Sequence, residues 1–430
     1  MKESLLHYIW RFQKFSKSEL RTTKGQAIQV LNPGVLNDFG GPDFLEAKIY
    51  LDDLCWTGPV EVHLHSSDWF RHGHQLDATY DNVILHVVWD FDLDVCYPSG
   101  HSIPTLNLSR YVNAKTLNHY QNTFLQQPKF ISCEQEVFQF SPALWMSYQY
   151  RLFVERMEQR VSEVQHLLKQ LNNDWEAVFF VFFAKGFGLN VNGPAFYEMA
   201  MHTPFKRILQ LREDPIQLEA LFLGQLGLLD PPFRGSYQEE LFTQYSYFKT
   251  KYKLIRPLAL KINFARLRPA NFPTIRMAQL AQINSKNGAL FDAVVKQTSP
   301  IQCYSLFSTT ASQYWTTHYN FDVESKPKPK KISRDFFDLL LINTLIPLRF
   351  AYAKYTGSSG ETSLFDWAEA VPSEKNSILN KFKKLKIPQV NAVASQSLLH
   401  LYKNYCTQKK CLSCNVGFNL MKSSGEPTNN

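Results

Sequence analysis

The chain has 430 residues, of which 44% are hydrophobic, 14% aromatic and 20% charged, and it carries a net charge of +8. That length exceeds one ordinary core, and the composition excludes a disordered or fibrous chain, so two or three globular domains are expected. Seven scattered cysteines exclude a disulfide framework and point to a reducing, cytoplasmic setting. The most apolar run, Val178 to Ala184, stops at Lys185, short of the ~20 residues of a membrane span. No apolar leader with a small-residue cleavage site follows Met1, so no membrane association is expected. The charge is uneven: residues 1 to 130 hold 11 Lys/Arg against 14 Asp/Glu, and the remainder holds 35 against 24.

Glu3 to Phe15 places Leu5, Leu6, Ile9, Trp10 and Phe12 at helical spacing. Ala27 to Leu31 reads as a short strand closed by Asn32-Pro33-Gly34. Pro42 to Leu51 reads as a second strand, Asp52-Asp53 as a turn and Cys55-Trp56-Thr57 as the returning strand of a hairpin. In Pro59 to His65 the side chains alternate, so Val60, Val62 and Leu64 point to one face and Glu61, His63 and His65 to the other. The hairpin brings Asp43 near Glu61. Two adjacent carboxylates repel unless a cation neutralises them, and hard oxygen ligands suit Mg²⁺ or Mn²⁺, with the Val62 carbonyl as a further ligand. Such a site polarises a phosphate and activates water. Ser66-Ser67-Asp68 resembles a helix cap, with a helix expected to about Tyr80 that would pair Asp68 with His72 and His74 with Asp77. Val83 to Trp89 reads as a strand buried on both faces, and His86 within it as a core histidine.

The order helix, three strands, helix, strand, with an acid after Gly41-Pro42 and the triplet Glu61-Val62-His63, resembles the core of the PD-(D/E)xK nuclease superfamily over about the first quarter of the chain. The resemblance implies a restriction-endonuclease-like αβββαβ core in which Asp43 and Glu61 bind the catalytic metal. The third motif position is usually lysine and is His63 here. A lysine is a permanent cation, whereas a histidine is mostly neutral near pH 7 and would orient or deprotonate water. Over its full length the chain also resembles an uncharacterised bacterial family, through Gly41-Pro42-Asp43-Phe44, Val60-Glu61-Val62-His63, His72-Gly73-His74, Asn82 to Val88 and Arg268 to Pro273. That likeness implies a shared architecture and no chemistry.

Beyond Gln127-Pro128-Lys129 and Ser141-Pro142 the pattern turns helical. The expected class is therefore α+β or α/β: a nuclease-like domain at 1–130, a helical domain at 131–300 and a helical C-terminal region at 301–430. Leu144 to Gln170 and Trp175 to Phe187 read as helices, Gly186 to Pro194 as a loop, and Ala195 to Ala200 as a new helix. Lys249 to Arg276 is the most basic stretch, interleaved with Tyr252, Phe264 and Phe272. Lys253, Arg256, Arg266 and Arg268 are candidates to hold a nucleic-acid backbone. Ser325 to Lys331 reads as a basic, proline-broken linker. Cys406, Cys411 and Cys414 form C-x4-C-x2-C. Three such close thiols suit zinc, with His400 or Cys133 as fourth ligand, or an iron–sulfur cluster completed by Cys133, Cys303 or an N-terminal cysteine.

The leading expectation is a metal-dependent phosphodiesterase, a nuclease or nuclease-derived DNA-binding protein, using Asp43, Glu61 and His63. A second reading is a zinc or other transition-metal hydrolase using Glu61, His63 and His65, because imidazoles two apart on one strand converge on such a metal. A third is a non-catalytic nucleic-acid-binding or scaffolding protein that kept the fold after losing the lysine.

Overall fold

The computed structural model describes residues 2–37, 41–125, 130–257, 260–357 and 361–423. Gln127-Pro128-Lys129, read as a boundary signal, lies outside them. The chain is mixed α+β and divides into two compact units. The first is residues 1–144 together with 401–430, and the second is 145–400. The division expected near 300 falls inside the second unit's core, and the C-terminal cysteine segment belongs to the first.

The first unit opens with helix α1 (Glu3–Arg11), which buries Leu5, Leu6, Ile9 and Trp10 as its spacing dictates. A six-stranded sheet follows: β1 (Ile28–Asn32), β2 (Val35–Leu36), β3 (Phe44–Leu51), β4 (Leu54–His65), β5 (Leu85–Asp90) and β6 (Thr105–Asn107). The strand order is β1-β3-β4-β5-β6, with β2 on the side of β3. The β1, β3 and β4 pairings are antiparallel, while β4–β5 and β5–β6 are parallel. The β3–β4 turn is Asp52-Asp53, as read from sequence, with Leu51 paired to Leu54 and Asp52 at φ 50°.

One irregularity positions the site. From Leu51↔Leu54 to Ala47↔Gly58 the β3–β4 register is constant, but Phe44 then pairs with Val60, one step out. The extra residue lies at Leu45–Glu46, where Glu46 has φ 60°, a β-bulge. Because side chains alternate, a one-residue shift changes which face a residue serves. The bulge sets Asp43 across from Glu61; an unbroken ladder would have set it across from Val62.

On the sheet face toward α1, Val60, Val62, Leu85 and Val87 are fully buried with Phe44, Ile49, Leu5, Ile9 and Trp10. The opposite face carries Glu61, His63 and His86, with Glu61 beside His86 in the parallel register. The expected helix to Tyr80 is replaced by a short one, α2 (Asp68–Arg71), and two 3-10 turns, His74–Leu76 and Ala78–Tyr80. Gly73, at φ 77°, ends the helix because its left-handed backbone cannot continue an α-helix. Asp68 therefore does not meet His72; it accepts the His65 amide (3.0 Å) and pairs with Arg71. Asp77 caps the second turn through Thr79 and does not meet His74.

The second unit is mostly helical. Helix α3 (Ala114–Tyr120) closes the first unit's sheet region, and α4 (Pro142–Gln170) leads into the second. Helix α5 (Trp175–Phe187), capped by Asp174, is buried on nearly every side. The expected loop at Gly186–Pro194 is instead mostly helical: α6 (Leu189–Met201) starts after Gly188 and contains Pro194. Asn192 anchors it by exchanging hydrogen bonds with the Asn263 backbone, so tertiary bonding overrides the local turn signal. Ser325–Lys331 packs into this unit: Lys330 is buried, its Nζ 4.0 Å from the Tyr319 ring centroid and bonded to the Thr316 carbonyl. The apolar run Arg334–Thr356 has the length and hydropathy of a membrane span, but 72% of its most apolar window is buried within the protein.

Candidate metal centre

Asp43 and Glu61 are locked together where the β3–β4 ladder ends. The Asp43 amide donates to Glu61 Oε2 (3.0 Å), and Asp43 Oδ2 accepts the Val62 amide (3.1 Å) in place of a ladder partner. Within a strand, the N–H and C=O of one residue point to the same edge, so the Val62 carbonyl lies on the Asp43 side. Asp43 Oδ2 also lies 3.1 Å from His7 Nε2 of α1. Glu61 is buried and Asp43 is 23% exposed, so the pair has one dry and one wet member. Burial raises the Glu61 pKa above the usual carboxylate value, and the nearby Asp43 charge adds to the rise against a hydrogen bond from His74.

Four imidazoles gather on the Glu61 side. His63, 1% exposed, has Nδ1 2.9 Å from His86 Nε2 and Nε2 3.1 Å from His72 Nδ1. Its Nε2 is 3.4 Å from Glu61 Oε1, which lies 3.2 Å from His74 Nε2. The His74 ring stacks on Tyr80 at 3.8 Å and meets Trp69 edge-on at 5.5 Å. His74 Nε2 is buried with Glu61 Oε1 beside it, and the buried His86 Nδ1 makes no hydrogen bond. Candidate ligand atoms of His63, His72 and His74 lie within 4.8 Å of one another, as do those of Glu3, His7 and Asp43. Glu61 stands between the groups, Oε1 toward the imidazoles and Oε2 toward the Asp43 amide.

The loop carrying His72 and His74 is pinned at its start. Asp92 accepts from the hydroxyls of Ser66 (2.8 Å) and Ser67 (2.6 Å) and from the Ser67 amide (2.9 Å). Although partial burial opposes it, these donors hold the Asp92 carboxyl down to about 2.

Two expectations about this site change. His65 does not join the cluster: its side chain is 48% exposed, at the end of β4, 3.5 Å from Asp90. His63 is buried among other imidazoles and hydrogen-bonded on both nitrogens, so the base expected from the sequence has no free nitrogen turned to water. Burial, and then the neighbouring His86, His74 and His72, push its pKa down to about 2, and burial pushes His86 down to about 3. His7, His72 and His74 were not singled out as ligands from the sequence. The signal available was the density of histidines, five of twelve between His63 and His86.

The chain belongs to the DUF2851 family. That family model, described as a protein of unknown function, matches residues 3–377. It takes in every member of both donor groups. No curated protein and no solved structure matches the chain.

The remaining candidates of this DUF2851 member lie elsewhere. Cys406, Cys411 and Cys414 line a separate cavity of the first unit together with Cys133. His400 lies in the second unit, facing Glu155, and buried Cys303 lies there also. Among the basic candidates, Lys253, Arg266 and Arg268 are exposed. Arg256 is engaged with both Asp230 oxygens (2.6 and 2.7 Å). Arg276, from the same stretch, is a core residue: it lies 3.3 Å over the Phe336 ring and bonds Gln279 and Asn271, and burial brings its pKa down to about 9.

Proposed function

We propose that the protein is a metal-dependent phosphodiesterase of nuclease type, with its centre at Glu61. The observation that carries this reading is the convergence of His63 Nε2, His72 Nδ1, His74 Nε2 and Glu61 Oε1, with successive separations of 3.1 to 3.4 Å. Nitrogen-rich donors suit Zn²⁺, Mn²⁺ or a related transition ion better than Mg²⁺, which prefers oxygen throughout. A metal ion held there would supply Lewis-acid polarisation of a phosphate and an activated water.

The chain's own residues do the positioning. His86 holds His63 by its Nδ1 and so fixes which nitrogen faces Glu61. Asp43, the wetter acid, is steadied by the Val62 amide and His7, and is placed to orient water at the open end of the site. The mixed sheet, with its two acids at the β3–β4 end, supports the resemblance to the PD-(D/E)xK core, while the departure at His63 becomes one member of an imidazole set. The excess of basic over acidic residues after 130 suits a polyanionic substrate.

The test is metal analysis of the purified full chain, followed by cleavage of single- and double-stranded oligonucleotides with Mn²⁺, Zn²⁺ or Mg²⁺ added. Bound transition metal, and cleavage that Glu61→Gln abolishes, support the proposal. Cleavage that is undiminished in Glu61→Gln, or no affinity for any divalent ion, overturns it.

A further inference from the structure

The cysteine-rich place in the fold is independent of the histidine site. Cys133, Cys406, Cys411 and Cys414, 273 residues apart in sequence between the first two, surround one cavity with Ile131, Ser132, Tyr405 and Gly417. None forms a disulfide, and all belong to the same compact unit. Each is delivered by a tight turn. Cys133 sits in a turn where its carbonyl accepts the Glu136 and Val137 amides. Cys406 ends a π-turn at Tyr402–Cys406, Cys411 begins a 3-10 turn at Cys411–Ser413, and Cys414 directly precedes the last helix, Asn415–Ser423.

Side-chain packing shows that the close approach is built in. A Cβ on Gly417 would lie 2.1 Å from the Cys411 carbonyl oxygen, so only glycine lets the last helix fold back over that turn. The helix then lays Phe418 against Phe12 (4.7 Å) and Tyr8 (6.2 Å) of α1 and buries Met421 in the sheet unit's core.

We propose that Cys133, Cys406, Cys411 and Cys414 are the four ligands of an iron–sulfur cluster that fastens the C-terminal segment to the sheet unit. The spacing selects a cluster over zinc. One zinc with Zn–S bonds of about 2.3 Å would draw its sulfurs to roughly 3.8 Å from one another. Among the described residues, no three of these thiols lie within 4.8 Å of one another. A cluster binds its thiolates through different iron atoms and holds them farther apart, with inorganic sulfide filling the space between.

The experiment is iron, sulfide and zinc analysis of the full chain purified without oxygen, with its visible spectrum. Iron and acid-labile sulfide in equal amounts, with a broad visible absorbance, are expected. Cys133→Ser should remove them as completely as Cys411→Ser, while Cys55→Ser, Cys96→Ser and Glu61→Gln keep them. If a cysteine variant is insoluble, oxidative bleaching of the unaltered protein serves instead, and should open residues 402–423 to limited proteolysis. Zinc without sulfide, metal-free protein, or a cluster retained in Cys133→Ser would each overturn the proposal. Retention in Glu61→Gln separates this result from the fate of the phosphodiesterase reading.

Discussion

At the scale of residues, the site rests on two acids from one hairpin and on nitrogen donors carried by α1, β4, β5 and the loop after α2. Asp43 and Glu61 could be placed near one another because the hairpin returns the second strand alongside the first, while the bulge that sets them directly across gave no signal. His72 and His74 read as helix-surface groups because the local pattern favoured a helix, and Gly73 decides otherwise by taking a left-handed backbone. His7 sits off the apolar stripe of α1, where a polar residue calls for no explanation, and only the tertiary fold brings it to Asp43. Two outcomes follow for single substitutions. His63→Lys should expel the bound metal and abolish cleavage, because it places an ammonium among His72, His74 and His86 in a buried site. His65→Ala, at an exposed strand end, should leave metal affinity and rate within about twofold of the parent, since surface changes of this kind are near neutral. Metal titration and a cleavage assay on both variants check the pair, and a dead His65→Ala would restore the strand-face reading made from sequence.

Among elements, the bulge in β3 is the device that sequence periodicity cannot report, because one extra residue leaves the alternation of the flanking segments intact. Deleting Glu46 should remove the bulge while Phe44 stays across from Val60 and Asp43 across from Glu61, because the deletion takes out the one residue that has no partner. Divalent affinity should then stay within about twofold of the parent, as read by metal titration beside a melting curve. Glu46→Gly should likewise keep the site and raise stability by about 1 kcal/mol, since a non-glycine residue in the left-handed region costs that order of energy. In the second unit, Glu219 of the helix Pro215–Gln225 is fully buried and accepts from Trp315 Nε1 (2.6 Å), Ser312 (2.9 Å) and Tyr237 (2.9 Å). Burial raises its pKa from 4.5 to about 7, against the pull of those donors. The folded value lies above the unfolded one, so this group's contribution is complete below 4.5 and is lost as pH climbs through about 7. The full span is worth about 3 kcal/mol. Denaturant unfolding at pH values across that window should show the second unit weakening toward high pH, and Glu219→Gln, which mimics the neutral form, should flatten the trend.

For the whole molecule, the sequence showed a sheet-bearing start and a helical remainder, and it did not show which pieces share a core. The proline-broken stretch before Lys331 had every local mark of a linker, yet Lys330 is buried in the second unit, because a long lysine stem packs on an aromatic ring as readily as it extends into water. The return of the C-terminal segment to the first unit had no signal in periodicity; the cysteines alone hinted at it, through their unmatched fourth ligand. Truncation after His400 should lower the first unit's stability by at least about 3 kcal/mol, because Met421 leaves its core and the Tyr8 and Phe12 face of α1 loses Phe418. A two-probe melting experiment, with one tryptophan reporter in each unit, reads this as a loss confined to the first transition.

That return also sets an order of events during synthesis. A growing chain usually completes its N-terminal domain first, but here the segment begun first is finished last. Once residue 400 has left the ribosome, every part of the second unit is available, while the strands of the first still lack the helix that covers α1. The nascent sheet unit therefore waits, its aromatic face open, through the making of the entire helical unit. Ribosome-bound chains in which residue 400 has just cleared the exit tunnel should accordingly protect the second unit from protease and leave α1 cleavable, and emergence of residues 401–423 should close that window.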